Sequence, residues 1–258
     1  MTINLTHWYG RLGNNIQQCA VGTMVAELLK NSFESIDHDI IKKHKTTFGT
    51  STEEVSSKWF YWEGPYKEVA VPPEYIYKNM RRICKTFISP QLQVPRVDVP
   101  DDCIVIHIRS GDIFDQVHPN GHQYTPAPLD FYRELLSGFP KAIVVTEPDN
   151  NNPIVDILRR DPKVTVQSKS VEEDFATLMG ATHLANSGVG TFAVAAALCS
   201  DKIKNFYCTD LRLTEHLNYI MMVNTDINVN VLKLSNYLQP GDWKNTDEHR
   251  DLLLNFVL

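Results

Sequence analysis

The sequence predicts an α/β protein built on a parallel sheet, and three observations predict it. Runs of strand length rich in branched aliphatics recur at 104–109, 142–146, 164–166 and 204–208. Between them lie stretches whose apolar residues recur at helical spacing, at 129–137, 153–160, 172–182 and 191–198. Strands separated by helices of this length imply parallel pairing through right-handed crossovers. The third is size: 258 residues, 43% of them hydrophobic, can bury one large core or two small ones.

The chain opens with a short strand over residues 3–8. A tight turn follows at Gly10-Arg11-Leu12-Gly13-Asn14, then a helix over 16–30. Strand, glycine turn and helix in this order point backbone N–H groups at an anion, although any α/β protein contains such turns. Residues 31–100 are less regular. They hold an aromatic cluster (Trp59, Phe60, Tyr61, Trp62, Tyr66) suited to stacking on sugar faces or to packing a small lobe, and a helix over 75–87 with Lys and Arg on its outer face. Pro90, Pro95 and Pro100 punctuate an extended linker, which divides the chain into residues 1–100 and 101–258.

The second part centres on Ile104–Phe114, IVIHIRSGDIF. Val105, His107 and Arg109 alternate with Ile104, Ile106 and Ile108, so His107 and Arg109 share one face of a strand that Gly111-Asp112 ends in a turn. The carboxyl edge of an open α/β sheet is where ligands sit, and an arginine there offers a rigid fork of donors to phosphate oxygens. Gly188-Val189-Gly190-Thr191 precedes the small-residue helix FAVAAAL. Its glycines admit close approach of a phosphate, and Ser187 and Thr191 supply hydroxyls at a helix start. Residues 211–258 are ambiguous: NVNVLKLSNYL fits helix or strand, and the apolar tail packs on the body of the protein.

Composition excludes several classes. A formal net charge of -6 argues against holding nucleic acid by bulk charge. No apolar run approaches the roughly 18 to 20 residues that span a bilayer, and MTINLTHWYG lacks the charged start and apolar core of a signal peptide. The expectation is a soluble, cytoplasmic protein. Five cysteines without CxxC or Cys/His ligand spacing read as reduced, buried thiols. The chain reads as lacking a DxD triplet, a common Mg²⁺ or Mn²⁺ holder, and no metal or other cofactor is expected.

The 104–114 segment resembles the HxRxGD motif of the GDP-fucose-dependent fucosyltransferase superfamily (the α1,2-, α1,6- and protein O-fucosyltransferases). GRLGNNIQQCA at 10–20 is similar to that family's N-terminal G-x-L-G-N-Q motif, with Asn15 in place of Gln, and EEDFATLMGATHLANSGVGTFAVAAAL at 172–198 resembles its third. The resemblance implies a GT-B-like fold of two Rossmann-like lobes with the donor in the cleft, residues 1–100 on the acceptor side and 101–258 binding the nucleotide sugar. It also implies a C-terminal helix that crosses back to the first lobe, and that the chain comes from a bacterium or virus or is an excised soluble domain. The activity implied is inverting, metal-independent transfer of a deoxyhexose, L-fucose from GDP-fucose, to a glycan hydroxyl. Another nucleotide L-sugar such as rhamnose, or a silent nucleotide- or carbohydrate-binding module, is the alternative.

Residue by residue, the resemblance places Arg109 on the donor's β-phosphate. Ser110 stands where relatives carry a second arginine, which leaves Arg11 or Arg212 to supply that charge. Gly10, Arg11, Gly13 and Asn14 belong to the first motif, and Ser187, Gly188, Gly190 and Thr191 to a phosphate loop that is serine-rich in relatives. Asp174 falls where a carboxylate accepts from guanine N1–H and the exocyclic amine, with His107 against the same base. Candidates for the base that deprotonates the acceptor are Asp112, Asp115, His118 and His122, unless the reaction runs without a dedicated base as in some relatives; Asp112 alternatively holds its turn through local amides.

Overall fold

The computed structural model describes residues 2–50, 71–115, 117, 124–187, 190–211, 222–224 and 226–258. Six parallel strands form its main sheet: β4 (Cys103–Ile108), β5 (Lys141–Thr146), β6 (Val164–Gln167), β7 (His183–Asn186), β8 (Asn205–Thr209) and β9 (Asn228–Leu232). Their order is β6-β5-β4-β7-β8-β9. Counted from β4 this is 3-2-1-4-5-6, the doubly wound order of dinucleotide-binding folds, and it reverses direction between β4 and β7. Loops leaving those two neighbours run to opposite faces, so a crevice opens over their carboxyl ends.

Helices α3 (Leu129–Ser137), α4 (Pro153–Leu158), α5 (Val171–Met179) and α6 (Phe192–Cys199) are the crossovers. The boundaries follow local chemistry. The Asn152 side chain caps α4 with Pro153 in its first turn, and Ser170 with Glu173 forms a capping box on α5. Alternation within the strands sorts the core. Val105, Val145, Leu184 and Phe206 bury on one sheet face beneath α5 and α6, and Ile104, Ile106, Ile108 and Val144 on the other beneath α3 and α4. The NVNVL segment, helix or strand by sequence, is edge strand β9.

Residues 2–47 supply β1 (Thr2–Asn4), helix α1 (Leu12–Leu28), β2 (Ser32–Glu34) and β3 (Lys45–Thr47). β1 pairs parallel and β3 antiparallel with β2. Among the described residues, 1–100 thus hold three three-residue strands, not a second six-stranded sheet. Helix α2 (Pro73–Ile83) continues through one π turn, Cys84–Ile88. One buried cluster runs from Ile3 and Ile16 through Met80 to Val105 and Leu198, so the first hundred residues share a core with one face of the main sheet. The proline-punctuated stretch is pinned as well: Gln93 N–H donates to Ile40 O (2.7 Å) and Val99 N–H to Gly180 O (3.2 Å).

Two expectations are corrected. Among the described residues the C-terminal helix α7 (Asp247–Asn255) packs on α3 rather than on residues 1–100, with Leu253 and Trp243 in the far-face core. Trp243 Nε1 donates to Ile113 O (2.8 Å) and Asn245 Nδ2 to Phe114 O (2.9 Å), so this segment clamps the turn after β4. Nor is Arg81 on an outer face. It is buried, and its guanidinium donates to Ala197 O, to Ser200 O (3.0 Å) and to Asp226. A cation on the last carbonyls of α6 satisfies groups the helix leaves unpaired and opposes its dipole. Among the described residues no helix is long and apolar enough to cross a membrane.

Arg81→Met retains bulk but strips those carbonyls of a partner. At about 1–3 kcal/mol per unsatisfied buried group, the expected loss is about 3 kcal/mol in urea unfolding. A loss below about 1 kcal/mol shows that the guanidinium is not what fastens α2 to α6.

Candidate functional site

The crevice between β4 and β7 gathers the three segments singled out in the sequence. His107 and Asn186 are register partners on the two strands, their side chains on the face beneath α6. Ring centroids of His107 and Phe192 lie 5.3 Å apart, and Phe192 stands at the same distance from Phe175. Burial, then the neighbouring Arg109, push His107 down to about 4, with Asn186 opposing and Arg11 adding to the shift. The ring is therefore neutral at pH 7. Its Nδ1 and the Asn186 Oδ1 are buried and have no bond of ordinary geometry among the described residues, although the amide eases the cost of burying the ring.

Arg109 stands one residue past β4. Its Nε and Nη2 donate to Asp112 Oδ1 (3.3 and 2.9 Å), Nη2 also donates to Oδ2 (2.8 Å), and the guanidinium carbon sits 4.6 Å from the Tyr124 ring centroid. Asp112 thus orients the arginine with both oxygens. The Nη1 edge faces the loop before α6: a Cβ built on Gly190 would stand 3.6 Å from it. Ser187, ahead of that loop, is buried, and its N–H donates to His107 O (3.4 Å). Gly188 lies outside the described residues.

Helix α1 brings the first motif to the same place. A Cβ on Gly13 would come within 2.6–2.7 Å of the Thr191 backbone, so glycine there lets the start of α1 rest on the start of α6. Thr191 Oγ1 donates to Asn14 Oδ1 (2.5 Å), while Gly10 folds over the Asn14 amide. Neither N-cap, Arg11 nor Thr191, makes a side-chain capping bond, and neither first turn holds an acid. Two positive helix ends and the Arg109 fork therefore converge, an arrangement that favours a dianion. Asn15, the next residue of that segment, is structural: its amide donates to Tyr9 O (2.9 Å), and His38 Nε2 lies 3.2 Å from its oxygen.

The remaining site residues spread outward. Arg11 pairs with Glu147, whose Oε2 accepts from Ser110 N–H (3.2 Å). Ser110 is buried; its hydroxyl donates to Asp149 Oδ1 (2.5 Å) and accepts from Asn152 N–H (3.2 Å). Burial raises the Asp149 carboxyl, but Ser110 and the Asn151 and Gly111 amides outweigh it and hold the group below its usual value. Asp115 Oδ1 accepts from Asn151 Nδ2 (2.5 Å). Asp174 is buried at the start of α5, where its carboxylate accepts from Gln167 Nε2 (2.8 Å) and Lys169 N–H (3.2 Å); burial raises its pKa against those two bonds. The aromatic cluster at 59–66, His118, His122 and Arg212 lie outside the described residues.

Three signals in the sequence went unread. Glu147 and its TEPD segment look like a turn, yet they end β5 beside the crevice. Gly188-Val189-Gly190-Thr191-Phe192-Ala193 is a GxGxxA run between a strand and a helix, with Asp210 at the end of the next strand, the spacing of a dinucleotide fingerprint. Asp210 Oδ1 accepts from Leu234 N–H (3.0 Å). An Asp-x-Asp triplet does exist, Asp37-His38-Asp39, but its histidine turns inward: Nδ1 accepts from the Ile40 and Ile41 amides (2.9 and 3.2 Å). Among the described residues no cluster of three or more His, Cys, Asp or Glu is arranged to hold a metal ion.

His107 sets a pH dependence. The unfolded chain takes up a proton on this ring below about 6.5 and the folded protein only near 4, so stability falls as pH drops through that window. At about 1.4 kcal/mol per pH unit the full loss is about 3.5 kcal/mol, and His107→Asn flattens it. Equal pH slopes for both proteins in urea unfolding contradict the buried neutral ring. Comparison of the chain with protein-family models, with curated proteins and with solved structures finds no match to any of them.

Proposed function

We propose that the chain is an inverting, metal-independent glycosyltransferase that moves L-fucose from GDP-fucose onto a glycan hydroxyl. The observation that carries the reading is the convergence of Arg109 with the starts of α1 and α6 at the order reversal of the sheet. Residues 10–20, 104–114 and 172–198, the three stretches that resemble fucosyltransferase motifs, all contribute to that one edge. In this reading residues 1–100 form the acceptor side of a two-lobed GT-B architecture and the donor lies in the cleft.

Breaking the bond between the anomeric carbon and the phosphate moves negative charge onto the diphosphate. Donors already fixed around that group lower the barrier most, because they need no reorganisation as the charge grows. Arg109, aimed by Asp112 and covered on one face by Tyr124, supplies a fork at a set angle. The helix starts add backbone N–H groups and partial positive charge.

A second reading has its own observation: the GxGxxA run with Asp210 one strand later favours a dinucleotide such as NAD. One titration separates the two. Calorimetry is expected to show GDP binding at least about tenfold tighter than UDP or NAD, with the gap to UDP narrowing in Asp174→Asn. The loss of one charge-assisted pair is worth roughly 1.5–3 kcal/mol. Tighter NAD binding replaces the reading, and equal UDP binding removes guanine from it.

Arg109→Ala is expected to keep the fold and lose on the order of 10² to 10³ in rate of GDP release from GDP-fucose, measured in EDTA, where the unmodified protein stays active. Arg109→Lys recovers little, since a point charge cannot replace the fork. A folded alanine variant with more than about half the activity overturns the role, and activity that needs Mn²⁺ overturns metal independence.

A further inference from the structure

We propose that Glu147 is the general base for the attacking hydroxyl, and that the diphosphate exposes it by drawing Arg11 away. The inference rests on the transferase reading and names the group that activates the acceptor.

Among the described residues the other carboxylates beside the crevice each take a structural bond. Both Asp112 oxygens hold Arg109, Asp149 Oδ1 is fixed by the Ser110 hydroxyl and the Asn151 amide, and Asp115 Oδ1 holds Asn151 Nδ2. His107 is half-buried in the sheet face under α6, its ring against Phe192. Glu147 differs in how it is held. Ser110 N–H fixes one oxygen at 3.2 Å, which orients the carboxylate, while the other is covered by a solvent-exposed partner, the Arg11 side chain. The Arg11 side chain is 71% exposed, so the pair is worth at most about 1 kcal/mol.

Arg11 is also the N-cap of α1, the helix whose start rests on Thr191, so it borders the dianion cradle. A diphosphate carries more charge than a carboxylate and offers a bidentate edge, so it outcompetes Glu147 for this arginine. A carboxylate freed from a guanidinium is a stronger base. The turn after β4 leaves room for it: Gly111 has φ +58°, and a Cβ there would stand 2.9 Å from the Glu147 carboxylate.

In the step itself the acceptor oxygen bonds to the anomeric carbon and its proton passes to Glu147. The carbon–phosphate oxygen bond breaks, and its electron pair leaves with the diphosphate, stabilised by Arg109 and Arg11. Donor binding thus precedes acceptor activation.

The test uses the full chain with GDP for binding and GDP-fucose with water as acceptor for single-turnover GDP release. Glu147→Gln is expected to bind GDP within about threefold of the unmodified protein yet release it on the order of 10²-fold more slowly, with Glu147→Asp recovering part of the rate. In an Arg11→Ala background the glutamine change must cost a similar factor again. Glu147 that merely anchors Arg11 predicts instead that its effect vanishes there, and that outcome overturns the assignment, as does a Glu147→Gln rate within about threefold of normal. A protein that binds no GDP at all defeats the transferase reading and this assignment with it. Normal GDP binding and unimpaired Glu147→Gln defeat the assignment alone.

Discussion

The site depends on one close approach, the start of α1 laid on the start of α6. Thr191 and Asn14 are 177 positions apart, yet their side chains share a hydrogen bond, and the absent side chain of Gly13 is what lets the helices come so near. Loops at the order reversal of a doubly wound sheet diverge, so β4 and β7 alone leave an open groove with one helix end in it. Adding α1 doubles the helix dipoles at that point and brings Arg11 across the mouth. The buried apolar cluster that α1 and α2 share with the main sheet, with Arg81 fastening the far end of α6, keeps that approach from relaxing.

Both arginines at the crevice are ion-paired. Arg109 faces Asp112 and Arg11 faces Glu147, two cations against two anions, all partly exposed. Exposed pairs contribute at most about 1 kcal/mol each, so an incoming dianion meets arginines that are positioned but weakly held. The two pairs are not alike. Asp112 lies three residues from its arginine and takes the Nε edge, which leaves the outer edge of the fork available. Glu147 covers Nη1 of a side chain anchored on another element, so contact with a ligand there means giving up the carboxylate.

Much of this was legible because the signals are local. Branched aliphatics at 104–108 and 142–146 can do little but form buried strands, and α3 occupies the residues its apolar spacing marks. What escaped depends on distant partners. The periodicity of 75–87 puts charges outside, but the carbonyls of Ala197 and Ser200 give Arg81 a reason to be inside. The apolar tail at 247–255 fits any exposed core; Trp243 and its bond to Ile113 select the far face of the main sheet. Glu147 reads as a turn residue until the register of β5 beside β4 places it at the crevice.

Ser110 shows how far such a reading reaches. By motif its position lacks a second guanidinium, and the simplest inference is a site one charge short. The serine is buried, with its hydroxyl bridging Asp149 and the amide that opens the Asn152 cap of α4. A guanidinium in that space would lose its hydration and gain one carboxylate in return, a poor exchange for a group of that size. The position serves the helix after β5. In the proposed reaction the second cation is Arg11, which stands in solvent at the start of α1. That exposure lets one arginine first cover the base and then hold the leaving group.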